Sequence, residues 1–318
     1  MNFTAHTHFK QIIRLAIAFS LVVVLKPTET QAQQQVMFTQ YMFNALAINP
    51  AYAGTHDAIS ITALGRKQWV GLDGAPSTQT LSLHSPVTKK NISLGLVLLN
   101  DKIGIFRQTG IFTSYAYRVQ MGEGKYLSMG LQFGLTRLKA EFTELTTVQQ
   151  GDPNFFFNDF QKFKPNFGAG LYYYSDRFYA GVSAPLLLNN FIADKVDNGG
   201  AIKERRHFFA MTGYVFDLSH SLKLKPHALL KMVEGAPVEF DLNANLIIND
   251  VLWIGASYRS LASINALLEI QLNDQLRFGY AYDFTTTDLA KVNSGSHEIM
   301  LNYRLSFSKG KIITPRYF

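Results

Sequence analysis

Apolar and polar residues alternate along about fourteen short segments of this chain, and the alternation is cleanest in the last third. In residues 238–248, Phe240, Leu242, Ala244, Leu246 and Ile248 share one face, and Glu239, Asp241, Asn243 and Asn245 share the other. Residues 263–272 set Ile264, Ala266, Leu268, Ile270 and Leu272 against Ser263, Asn265, Leu267, Glu269 and Gln271. Residues 275–284 set Leu276, Phe278, Tyr280, Tyr282 and Phe284 against Gln275, Arg277, Gly279, Ala281 and Asp283. Residues 297–307 set Ile299, Leu301, Tyr303, Leu305 and Phe307 against Glu298, Met300, Asn302, Arg304 and Ser306. Successive side chains of a strand point to opposite faces, so each segment predicts a strand with one apolar and one polar face. Each is about ten residues long, enough for a tilted strand to cross the hydrocarbon layer.

Weaker alternation recurs at 58–69, 78–87, 91–99, 109–120, 125–138, 166–174, 177–184, 207–218, 221–232 and 251–260. Tight turns are expected at Lys89-Lys90, Gly122-Glu123-Gly124, Ser175-Asp176, Ser219-His220, Asn249-Asp250 and Asn273-Asp274. Longer connections fall between them, at 70–77, 100–108, 139–165, 185–206 and 285–296. The pattern predicts an all-β protein: a transmembrane antiparallel β-barrel of about 14 strands, with short turns in the periplasm and long loops outside. Both termini then lie on the periplasmic side. A soluble β-sandwich also alternates, but so many membrane-length strands with aromatic outer faces are unusual for one.

Ahead of the strands, Lys10 and Arg14 precede an apolar stretch at 15–25, and Thr30-Gln31-Ala32 offers a cleavage site. Residues 1–32 are expected to be a secretory signal peptide, too short in its apolar part to span a bilayer as a helix. The expected divisions continue with a plug or periplasmic segment at 33–57, the barrel at 58–307 and a tail at 308–318. Phe38, Tyr41, Met42 and Ala45 have helical spacing, Asn49-Pro50 ends the helix, and Ala53-Gly54 makes a turn. An apolar helix here must be buried, either in the barrel mouth as a plug or on a partner. Phe38, Tyr41, Phe43, Asn49, Pro50, Tyr52 and Gly54 carry that motif.

A mean hydropathy of +0.02 with 13% aromatics suits a barrel, in which alternate strand residues face lipid. Cysteine is absent, which excludes disulfides and thiolate metal sites. The net charge is +7, of which Lys10, Arg14, Lys26 and Glu29 in the leader contribute +2, and the remainder is scattered rather than concentrated as nucleic acid would require. By parity Arg118, Glu239, Asp241, Arg259, Glu269, Arg277, Asp283, Glu298 and Arg304 face the lumen. Charges of both signs there read either as a cross-linked interior or as solvated channel walls.

Catalytic chemistry finds no support. There is no G-x-S-x-G elbow, and His297 and Glu298 point to opposite faces of one strand. His84, His207 and His227 lack ligand-spaced neighbours, and Gly151-Asp152-Pro153-Asn154 reads as a turn rather than a calcium loop. No enzyme activity, cofactor or metal is expected. One feature stands out: Phe155, Phe156 and Phe157, with Phe160 and Phe163, in the longest predicted outer loop. Exposed aromatics of this kind suit a partner surface, or fold over the barrel mouth or rest on the membrane interface.

Several runs carry a family resemblance. FTQYMFNALAINPAYAG (38–54), RKQWVGLDGAPSTQTLSLHSPV (66–87), NDKIG (100–104) and RQTGI (107–111) resemble the PorP/SprF family of the type IX secretion system. So do NFGAGLYYYSDRFYAGVSAPLLL (166–188), LKPHALLK (224–231), DLNANLIINDVLWIGASYR (241–259), NDQLRFGYAYDFTT (273–286), SGSHEIMLNY (294–303) and PRYF (315–318). The stretches 139–165 and 191–206 look least family-like. The resemblance implies a non-enzymatic outer-membrane protein of gliding or secreting Gram-negative bacteria. Its partners would be the outer-membrane bilayer, other type IX components, and a secreted adhesin with a type B C-terminal domain, which it would help to export or anchor. A porin-like solute channel is the alternative.

Overall fold

Each barrel strand faces lipid on one side and its own lumen on the other, so the usual soluble pattern is inverted. Leu242, Ile264, Leu268, Ile299 and Leu301 are exposed, while Asp241, Asn265, Glu269, Glu298 and Asn302 are buried. The computed structural model describes residues 35–87, 91–142, 159–193 and 202–306. The expected leader, the Lys89-Lys90 turn, Phe155–Phe157 and the tail lie outside these residues.

Fourteen antiparallel strands close into a barrel. They are β1 (Ala58–Lys67), β2 (Ser77–Pro86), β3 (Ile92–Ile103), β4 (Phe106–Gly122), β5 (Lys125–Ala140), β6 (Phe160–Tyr174) and β7 (Phe178–Ala184). The second half adds β8 (His207–Tyr214), β9 (Leu222–Val233), β10 (Glu239–Ile248), β11 (Leu252–Arg259), β12 (Ser263–Gln271), β13 (Leu276–Thr285) and β14 (Ser296–Ser306). Sequence neighbours pair throughout, and β14 returns to β1 from Ala58↔Ser306 to Lys67↔His297. Closure removes the sheet edges within the ring, where ladder groups find partners without water; residues 160–168 of β6, above β7, have a strand partner on the β5 side only. Beyond Val215, Phe216–Asp217 continues the β8 register on β9, and 191–193 pairs with 202–203 outside the ring.

One end of the barrel carries tight turns. Asn249 and Asp250 both adopt positive φ (51° and 58°), the conformation a two-residue hairpin requires. The other end carries most of the long connections and differs from expectation in two places. Residues 100–108 do not form a long loop: β3 runs to Ile103, β4 starts at Phe106, and Gly104 turns at φ 54°. Likewise β5 extends to Ala140 and β6 begins at Phe160, where Ala140 pairs with Phe160. Phe160 and Phe163 therefore belong to a strand, not to a loop. β4 has 17 residues and β5 has 16, against 8 in β11 and 9 in β12, so the β3–β6 wall stands taller than the wall opposite.

The N-terminal segment runs inside the lumen. The expected helix is instead three 3-10 turns, Tyr41–Phe43, Ala45–Ala47 and Pro50–Tyr52. A narrow channel lined with polar side chains supplies backbone partners that an α-helix would otherwise supply to itself. The direction is also unexpected. At the long-connection end the Gln35 N–H donates to His207 Nε2 (3.2 Å), and at the short-turn end the Gly54 N–H donates to His84 Nδ1 (3.1 Å). The described chain thus starts at the end opposite to the one expected and descends through the barrel into β1.

Candidate functional site

The contacts between this internal segment and the barrel wall form the site, and they divide into three levels. At the long-connection end the N–H groups of Thr39 and Gln40 donate to the two carboxylate oxygens of Glu298, at 2.9 and 2.7 Å. The Thr39 hydroxyl donates to Asp283 (2.7 Å). Arg66 lies 2.7 Å from Asp283 and 3.1 Å from Glu298, and Arg259 bridges Asp241 (2.8 Å) and the Phe38 carbonyl (3.1 Å). All five charged groups are buried. Buried charges persist only when paired and hydrogen-bonded, and here the plug backbone completes the pairing.

Midway down, the Tyr41 hydroxyl lies 3.1 Å from His227 Nδ1 and accepts from Asn243 (3.0 Å), while Asn44 donates to Thr80 (3.2 Å) and accepts from Ser82 (2.6 Å). Phe43 meets Trp253 edge-on at 5.4 Å, beneath the buried Lys225 ammonium at 5.4 Å and the Arg277 guanidinium at 5.6 Å. These are cation–π contacts in a water-poor interior, where they are strongest.

Near the short-turn end Asn49 donates to the Leu171 carbonyl (3.0 Å) and accepts from the Ala51 N–H (2.9 Å), capping the third turn. The wall is cut back to admit it. A Cβ on Gly130 would lie 2.2 Å from the Ala51 nitrogen, and one on Gly170 would lie 2.1 Å from Asn49 Oδ1. Tyr52 fills the space between Tyr172 and His84 with edge-on ring contacts. Above the segment, at the barrel mouth, remains a cavity of about 200 Å³ lined by Val36, Phe38, Val97, Ile103, Phe112 and His207 among others.

The charged residues singled out in the sequence fall on this lumen. Asp241, Arg259, Asp283 and Glu298 converge on Phe38–Gln40, as above. Glu269 stands 3.8 Å from Arg277, Glu239 pairs with Lys231 at 3.1 Å, and Arg304 contacts His56 (3.2 Å). Arg118 binds Asp57 (2.6 Å) at the base of the segment. Phe38, Tyr41, Phe43, Asn49, Pro50 and Tyr52 are all buried against the wall, and Gly54 turns at φ 76°. Phe160 and Phe163 are not brought together. Phe163 points outward and is 61% exposed, whereas Phe160 is on the opposite face of β6 and joins Phe142 and Phe106 in an aromatic row.

Arg66, Lys225, His84, His207 and His227 were not singled out as plug contacts. Their signal was parity alone, which places each on the polar face of its strand. Among the described residues no group of three or more His, Asp or Glu is placed to hold a metal ion.

A closed, apolar-surfaced antiparallel ring with a polar interior defines an outer-membrane β-barrel. The model of the type IX secretion system membrane protein PorP/SprF family matches residues 30–303, and the chain belongs to that family. No curated protein matches it. Among solved structures it is similar to the CymD monoaromatic hydrocarbon channel (12% identity, TM-score 0.48, covering 83% of this chain and 92% of that one). A FadL homologue of Pseudomonas aeruginosa (11%, 0.44, 79% and 89%) and Salmonella typhi OmpF in complex with daunomycin (12%, 0.37, 79% and 98%) are also similar.

Proposed function

We propose that this protein is a non-enzymatic component of the type IX secretion and gliding machinery. In this reading it helps to export a large secreted surface protein, an adhesin with a type B C-terminal domain, or to hold it at the cell surface. The observation that carries the reading is a lumen occupied from end to end by the chain's own residues 35–57. Tyr41, Leu46, Ala51 and Tyr52 are each at most 2% exposed. A barrel filled in this way offers its surfaces, not its pore. The long-connection end is the extracellular one in outer-membrane barrels. There the mouth cavity, lined by apolar residues together with Asp101, Gln108, Glu204 and Arg205, and the Phe106–Phe142–Phe160 row, with Phe155, Phe156 and Phe157 between β5 and β6 in sequence, suit an amphipathic segment of a protein partner. Phe163 would contribute only from the outer side.

The leader at 1–32 fits this reading, since such a barrel must be exported before assembly. A solute channel is the competing reading, and the family membership and the filled lumen both weigh against it. The deciding experiment is native affinity purification of the tagged protein from outer membranes, with co-eluting chains identified by mass spectrometry. Recovery of a large surface protein or of type IX components at near-stoichiometric yield supports the proposal. A barrel that elutes alone after gentle cross-linking, and that conducts ions in planar bilayers, overturns it.

A further inference from the structure

Outward-facing charge on this barrel is confined to one side. Along β8 to β13 the outward positions of the strands carry no charged residue: Phe208, Met232, Phe240, Tyr258, Ile264 and Phe284 are typical. On β3–β5 the picture changes at the long-connection end. Lys102 is directly opposite Arg107, Arg107 is directly opposite Lys139, and Arg137 is in the next row down, opposite Thr109. Like charges facing each other across adjacent strands are destabilising, so such a row favours a bound anion. Among the described residues, carboxylates cover it only in part. Lys139 donates to Glu141, which also interacts with Arg107 and lies near Asp159, and Arg137 donates to the neutral Gln161 (2.6 Å).

The register also shows what lies beneath. Below the row of Asn100, Thr109, Arg137 and Phe163 come Leu98, Ile111, Leu135 and Pro165, and then Leu96, Thr113, Phe133 and Phe167. Further down, the outer surface dips into an apolar furrow of about 690 Å³, lined by Tyr115, Leu131, Leu171, Val182 and Phe208 among others. The furrow exists because β7 is short and its outward residues there, Val182 and Ala184, carry little bulk. From Arg137 to Leu131 along β5 is roughly 20 Å at the rise of a strand. One leaflet of hydrocarbon is about 15 Å deep. The cationic row therefore stands at headgroup height when the furrow lies near the middle of the bilayer.

We propose that this face binds a phosphorylated lipid of the outer leaflet, its phosphates held by Lys102, Arg107, Arg137 and Lys139 and an acyl chain laid down the apolar rows into the furrow. Arginine forks and lysine ammonium groups are suited to phosphate oxygens, and each cation near a headgroup adds to the attraction. The site is independent of the secretion role, since its side chains lie on the lipid side of the wall; Leu171 and Val182 meet the internal segment only through their backbone carbonyls, which accept from Asn49.

The test uses the purified full-length protein in detergent, titrated with bisphosphorylated lipid A and with its dephosphorylated form, with binding read by native mass spectrometry. Wild type should retain the phosphorylated lipid, and K102Q/R107Q/R137Q/K139Q should weaken it by about tenfold or more. Removing two cations at the opposite end, K125Q/R177Q, should change nothing. The milder R107Q/R137Q covers the case of a quadruple variant that fails to assemble. Equal retention of both lipids, or of the phosphorylated lipid by both row variants, overturns the proposal. So does displacement of the lipid by millimolar inorganic phosphate, which would make the row a simple phosphate site.

Discussion

Gln40 precedes Glu298 by 258 residues, yet its backbone N–H donates to the Glu298 carboxylate at 2.7 Å inside the barrel. The adjacent N–H, that of Thr39, takes the other carboxylate oxygen. Two successive amides aimed at one anion form an anion-holding turn, and Arg66 completes the charge balance from β1. The plug is thereby fastened to the strand that closes the ring, so segment placement and barrel closure share one set of bonds.

Glu298→Ala should therefore loosen both. It leaves Arg66 buried with Asp283 as its one carboxylate partner and strips the acceptors from two buried N–H groups. The expected loss is about 3–5 kcal/mol of stability, visible as a lower temperature for the folded-to-unfolded shift on gels, together with a rise in bilayer conductance. Glu298→Gln keeps an acceptor oxygen and should fall between. Wild-type stability and conductance in the alanine variant would remove the latch from this account.

The small residues of the wall give a second handle. A Cβ on Gly170 would lie 2.1 Å from Asn49 Oδ1, whereas one on Gly65, on the outward face of β1, meets nothing within 4 Å. Gly170→Val should push the Asn49 turn out of its seat and cost about 1–3 kcal/mol as overpacking does. Gly65→Ala should be silent. Protease accessibility of residues 35–57 in detergent measures the displacement, and equal protection in the two variants would count against tight seating.

Much of this architecture is legible in the sequence, and the reason is periodicity. Where a strand crosses lipid, as at 263–272, every second residue must be apolar, and the pattern survives without any knowledge of neighbours. It fails where strands leave the membrane. At Asn100, Lys102, Arg107 and Lys139 the outward face is wet, so it carries polar residues and the strand reads as a loop. Pro165 had the same effect on β6, although as an outward residue in a tall wall it sits within the strand. The lumen was legible only as a set of charges. Which carboxylate meets which cation depends on cross-strand register and on a plug far away in sequence. Lys225 shows the limit: its face was readable, but its aromatic surroundings, Phe43, Tyr179 and Trp253, come from three separate parts of the chain.

Removing the central part of the plug tests whether it closes the pore. Deleting residues 38–46 takes away the Glu298, Tyr41 and Asn44 contacts while β1 and its neighbours keep their register. The expected result is a barrel that still floats with the outer membrane and admits small hydrophilic solutes, measured by antibiotic sensitivity and by single-channel conductance. Unchanged permeability in an assembled deletion variant would mean that something other than this segment blocks the path.

The direction of the plug yields the last prediction. Gln35 meets His207 at the long-connection end, while Glu123 and Asp176 lie in tight turns at the other. If the long-connection end faces outward, as in outer-membrane barrels generally, whatever remains of the chain ahead of Gln35 after export emerges on the cell surface. The absence of cysteine makes the test clean, because a single introduced thiol is the only one present. In intact cells a membrane-impermeant maleimide should label Gln35→Cys and leave Glu123→Cys untouched, and permeabilisation should make both reactive. Labelling only Glu123→Cys in intact cells would invert the barrel in the membrane and move the aromatic mouth to the periplasm. Labelling neither before permeabilisation would place Gln35 inside a covered mouth, and the surface exit would be wrong.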